Sequence, residues 1–139
     1  MKAISLARTA GLAAAAVFAA VGLCFFLLPG GVLGFFNRLS GPLGFAPAPA
    51  AASPFFVALA SAYMFIVTML ALNMHRHPGN PAFASLLAQA KLASAGLSLI
   101  LFFAAGRPLI LLVNAVVDGS IGLGAAWLAG RLRREDARR

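Results

Sequence analysis

Ser53-Pro54 opens the run FFVALASAYMFIVTMLALNM (55–74), HRHPG (75–79) closes it, and Asn80-Pro81 opens AFASLLAQAKLASAGLSLILFFAA (82–105). Each run has about the 20 apolar residues that a helix needs to cross a bilayer. The break between them is long enough only for a turn. Serine or asparagine followed by proline marks a helix start, because the first residue can cap and proline loses nothing in the first turn. The stretch therefore predicts two long apolar helices folded back on each other.

Working toward the C-terminus, Gly106-Arg107-Pro108 is a second tight turn and opens an apolar run over about 109–130, followed by a basic tail, 131–139. Toward the N-terminus, Lys2 and Arg8 precede an uncharged run from Thr9 to Leu28. That run is longer than a signal-peptide core of about 7–15 residues, and no small-x-small site follows it closely, so it reads as a retained helix, about 9–28. Pro29-Gly30-Gly31 ends it. Residues 29–54 then read as an outer loop, with Phe35 and Phe36 at the membrane interface and the Ala-Pro run 46–50 as a stiff extended connector.

The expected fold is all-α: an integral membrane four-helix up-down bundle forming a single transmembrane domain, 1–139. Its helices lie at about 9–28, 55–74, 82–105 and 109–130, the last three consecutive antiparallel neighbours. Composition agrees, with 62% hydrophobic and 10% charged residues against roughly 45–50% apolar in soluble domains. No separate soluble domain fits in 139 residues.

The formal charge of +8 is distributed by side. With the N-terminus cytoplasmic, Lys2, Arg8, Arg76 and the tail arginines Arg131, Arg133, Arg134, Arg138 and Arg139 fall on that side, against Arg38 and Arg107 on the other. This is a positive-inside pattern, placing both ends on the cytoplasmic face of a bacterial inner membrane. The tail arginines are expected to meet anionic lipid headgroups, at about 1 kcal/mol per basic residue near the surface. Nucleic acid is not an expected partner, because no aromatics interleave with these arginines to offer a stacking platform. Trp127 falls where an interfacial aromatic would sit. Cys24 is a lone cysteine in an apolar run, and bulky Leu23 before it argues against lipidation.

Chemistry inside the apolar runs is confined to a few polar groups. Asp118, the only acidic residue before the tail, falls near the middle of the last helix, where an ionised carboxylate costs about 2.5–3.5 kcal/mol. Lys91 is its candidate partner: counting from the last turn at about 1.5 Å per residue puts Asp118 about 15 Å deep and Lys91 about 21 Å, a gap a lysine side chain spans. Tyr63 counts to about 14 Å. Asn114 lies four residues before Asp118, and Ser94 and Ser98 continue the stripe beyond Lys91. Tyr63, Lys91, Ser94, Ser98, Asn114 and Asp118 thus form one polar seam, which either glues the helices or serves a proton, ion or small ligand. Gln89 is the other large polar group in that helix. His75-x-His77 lacks a nearby cysteine or carboxylate, so neither metal nor cofactor is expected. Covalent catalysis is not indicated, since no nucleophile, base and orienting group fall together. Small residues recur at Gly11, Ala15, Ala19 and Gly22, and again at Gly119, Ser120, Gly122, Gly124 and Ala126, as in closely packed membrane helices.

Leu6-Ala7-Arg8 at the start of the first helix, four spans in a short chain and the Asp118-Gly119 step resemble, in layout, the DoxX-like group of small bacterial membrane proteins. The resemblance implies an accessory or redox-associated membrane subunit and carries no functional residue across. Small multidrug-type exporters also have four spans, but they rely on an acidic residue in the first helix, and none is present here. The expected role is therefore an accessory or scaffolding membrane protein, partnered by itself or by other membrane proteins. The alternatives are a small proton-coupled transporter or channel using the Asp118/Lys91 pair, and a membrane redox-associated subunit.

Overall fold

The computed structural model describes residues 2–49 and 53–137. Five helices follow one another: α1 (Lys2–Leu27), α2 (Pro29–Ser40), α3 (Pro54–Arg76), α4 (Pro81–Ala104) and α5 (Leu109–Asp136). No strand occurs among the described residues. Proline stands in the first turn of α2, α3 and α4, where its missing N–H costs nothing. Asn80 caps α4 by accepting from the backbone N–H of Ala82 at 2.9 Å, whereas the Ser53 side chain makes no such bond to α3. The α4–α5 turn closes with Arg107 N–H donating to Phe102 O at 2.9 Å, and both Gly106 (φ 77°) and Arg107 (φ 66°) take left-handed backbone.

Three boundaries differ from the sequence expectation. The first helix begins at Lys2 instead of near residue 9, because Ala, Leu and Lys in its first turns are good helix formers. The last helix runs on to Asp136, so Arg131, Arg133 and Arg134 stand on helical turns instead of a tail; Arg138 and Arg139 lie outside the described residues. The expected outer loop 29–54 is helical as far as Ser40. Pro29 does break the first ladder, but the chain re-enters a helix at once: Leu28 N–H donates to Cys24 O and Val32 N–H to Leu28 O. A proline that ends one helix is equally suited to begin the next.

Beyond α2 the chain is tied down. The Asn37 side chain pairs in both directions with Ala48, donating to its carbonyl at 2.9 Å and accepting from its N–H at 2.7 Å. Phe45 lies against Phe102, and Ala46 bridges to Pro108 at the α4–α5 turn.

The long helices pack chiefly as two pairs, α1 on α3 and α4 on α5, with sparser contact between α3 and α4 and between α1 and α5. α4 and α5 are thus close neighbours, while α3 leans mainly on α1. Small residues set this pattern. A Cβ on Gly11 would fall 2.7 Å from the backbone N of His75 and 2.8 Å from Ala71 O. On Gly122 it would meet Leu92 Cγ at 2.7 Å. Fully buried Ala7, Val67, Ala71 and Ala84 line the same contacts. Large apolar side chains point outward instead, among them Phe26, Phe55, Phe65, Ile100 and Leu123. All four long helices are long and apolar enough to cross a membrane.

Both ends of the described chain meet at one end of the bundle. There the Ala3 N–H, left without an acceptor in the first turn of α1, donates to Glu135 Oε1 at 3.2 Å.

Candidate functional site

The seam forms where the two helix pairs meet. Lys91 Nζ of α4 donates to Asp118 Oδ1 of α5 at 2.9 Å, with the side chains only 3% and 6% exposed. Each helix delivers its residue from the buried face, beside Leu87 and Ala88 on α4 and Gly122 on α5. The ammonium also faces two rings, with Phe18 of α1 centred 4.4 Å away and Tyr63 of α3 at 5.3 Å. Lys91 therefore touches all three other long helices. A lysine offers three donors, and one goes to the carboxylate; the aromatic faces supply part of the remaining electrostatic compensation.

One helical turn away, Asn114 Nδ2 of α5 donates to Ser98 Oγ of α4 at 2.7 Å and to Ser94 Oγ at 3.3 Å. The Tyr63 hydroxyl donates to the Ala90 carbonyl at 3.0 Å, a link from α3 to α4. All six residues of the expected seam are thus brought together, but in a different wiring. Tyr63 offers its ring to Lys91 and its hydroxyl to backbone, and it makes no hydrogen bond to Asp118. Sequence reasoning missed Phe18. The only signal for it was position: it continues the Gly11, Ala15, Gly22 face of α1 as a large residue among small ones.

Beside the pair lies a cleft of about 270 Å³, with Phe18, Tyr63, Lys91, Ser94, Asn114 and Asp118 among its lining residues. Its wall is otherwise apolar, including Val17, Phe25 and Ile121. Chemically the arrangement is an ion pair in an aromatic and hydroxyl-bearing surround.

The remaining candidates lie elsewhere. His75 Nδ1 is 2.9 Å from Arg8 O, joining α3 to α1, and the His77 ring stacks on Phe83. Among the described residues no group of three His, Cys, Asp or Glu side chains gathers to hold a metal. At the end where the termini meet, Arg131 lies over Trp127 at 4.4 Å and Arg133 Nη2 donates to Ser85 Oγ at 2.8 Å. Arg131, Arg134, Trp127 and Glu135 border a separate polar hollow there. Cys24 is exposed on α1.

Among the described residues, fold and site together define a helical protein whose four long apolar helices meet around a buried ion pair. No protein-family model, curated protein or solved structure matches the chain.

Proposed function

We propose that the chain is an accessory or scaffolding protein of the bacterial inner membrane, with four spans, both ends cytoplasmic, and a polar seam that braces the spans against one another. The observation that carries this reading is the Lys91–Asp118 contact, in which two charges with almost no exposure satisfy each other at the junction of the helix pairs. In hydrocarbon an isolated charge is expensive, so each partner holds the other, and with it α4 and α5, in register. A conducting pathway asks for the reverse: charged groups that meet water from one side and exchange partners.

The distribution of basic residues supports the orientation. Lys2, Arg8, Arg76, Arg131, Arg133 and Arg134 belong to the end where Ala3 meets Glu135, whereas Arg38 and Arg107 belong to the other. At the first end the arginines and Trp127 suit anionic headgroups. The resemblance in layout to DoxX-like proteins implies an accessory or redox-associated subunit, with which this reading is compatible.

The cleft beside the pair favours a second reading, a proton or small-ligand site that uses Asp118, Lys91 and Tyr63. Water access separates the two. In a Cys24→Ala background, Ser94→Cys and Asn114→Cys are expected to stay unlabelled by a membrane-impermeant thiol reagent applied from either side. Labelling at both positions would put water in the seam and transfer the assignment to a transporter or channel.

A further inference from the structure

The carboxylate of Asp118 is only half used. Its Oδ1 takes the Lys91 ammonium, while Oδ2 takes no hydrogen bond from a described residue. Among the described residues, Ser61 Oγ is the one side-chain polar atom that is fully covered without a partner. Oδ2 is therefore not sealed off, and the space that Asp118 borders is the cleft of about 270 Å³. Asn114, one turn away on α5, borders the same cleft, and its two hydrogen bonds to α4 are both donations. What these two residues have to spare is acceptors, a carboxylate oxygen and an amide oxygen.

The same cleft reaches the side of the bundle. Val17 and Val21 of α1 and Val117 of α5 border it and are 55%, 39% and 49% exposed, so it opens where these two sparsely touching helices leave a gap. Val117 stands eight residues into α5 and ten before Trp127, roughly 12 Å and 15 Å from those two levels. In the four-span reading a mouth at that depth faces acyl chains.

These features select a ligand. It arrives through lipid, so most of it is apolar. It carries a hydrogen-bond donor, because the spare groups are acceptors. It is uncharged, because Lys91 and Asp118 already offset each other and a third charge would stand unpaired in a low-dielectric surround. At roughly 30 Å³ per water-sized group, the cleft takes about nine non-hydrogen atoms, a head and one ring or short chain. The rings of Phe18, Phe25 and Tyr63 along its wall suit an aromatic body.

We infer that the cleft is a binding site for an uncharged, hydroxyl-bearing amphiphile of the lipid phase, which enters between α1 and α5 and donates its hydroxyl to Asp118 Oδ2. Lys91 keeps Oδ1, so the site and the brace coexist. The inference gives the small-ligand reading of the cleft its ligand class, and it rests on that reading and on the membrane placement.

Tyr63 is the single tyrosine of the chain, so fluorotyrosine incorporated in its place puts one fluorine reporter in the cleft wall. The full chain, in bilayer discs of zwitterionic and anionic phospholipid, is titrated with hexylphenol. The fluorine resonance should move saturably. The methyl ether of hexylphenol should need at least about tenfold higher mole fraction in the lipid for the same shift, the loss expected for one hydrogen bond to a charged acceptor. Val117→Phe, which crowds the mouth from an exposed position, should abolish the shift, whereas Leu123→Phe, exposed elsewhere on α5, should not. The site is overturned if hexylphenol moves nothing, if the ether binds equally well, or if the two phenylalanine variants behave alike. Thiol labelling of Ser94→Cys in the Cys24→Ala background separates the causes. Labelling by the impermeant reagent without a hexylphenol shift overturns the amphiphile alone and leaves a water-borne ligand, whereas neither labelling nor shift overturns the small-ligand reading as well. Protein washed from the lipid by alkaline carbonate overturns the membrane placement itself.

Discussion

At the residue scale, the decisive fact is that Lys91 has more than one kind of partner. Asp118 supplies the charge, Phe18 and Tyr63 supply ring faces, and the Tyr63 hydroxyl is committed to Ala90 O. Tyr63→Phe keeps the ring and removes only the hydroxyl, so thermal unfolding in detergent should show a loss of about 0.6 kcal/mol, the usual worth of an interhelical hydrogen bond. A loss several times larger would mean that the hydroxyl serves Asp118 directly. The charge pair was legible in the sequence, because a lone acid and a lone lysine in apolar runs must find each other and counting helical rise set them at similar depth. Phe18 was not, because an aromatic ring within an apolar run carries no mark to set it apart from a lipid-facing one.

At the scale of elements, small residues decide which helices approach. Gly11 lets α1 reach the backbone of α3, and Gly122 lets α5 reach Leu92 on α4, whereas Gly124 meets nothing within 4 Å. Gly11→Ala should therefore separate α1 from α3 and cost about 1–3 kcal/mol, the usual range for overpacking, read as a lowered melting temperature. Gly124→Ala should leave the melting temperature unchanged or raised. Equal effects at both sites would mean that close approach is not what Gly11 provides. The sequence displayed both small-residue faces but not their partners, so the pairing of α1 with α3 could not be read from it. Nor could α2: Pro29-Gly30-Gly31 has the composition of a breaker, and whether proline ends a helix or begins one depends on the residues that follow finding support. Here that support lies far along the chain, in Asn37 gripping Ala48 and in Phe45 and Ala46 resting on the α4–α5 turn.

At the scale of the whole molecule, two helix pairs with apolar exteriors contact each other more sparsely than the helices within each pair do, and a buried ion pair of α4 and α5 faces rings of α1 and α3 where they meet. The apolar runs made four long helices legible from the start, since segments of this length and polarity have few other fates. The junction between the pairs was not legible, because it depends on three-dimensional meeting points from all four helices. If that junction braces the bundle, losing one charge strands the other in a low-dielectric interior, and losing both does not. The measurement that tests this most directly is the thermal stability in detergent of the parent, Lys91→Met, Asp118→Asn and the double variant. Each single substitution should destabilise by about 3–5 kcal/mol and the double should recover much of that loss, giving a large coupling between the sites. Single variants as stable as the parent would mean that both groups already meet water, and the brace would be contradicted.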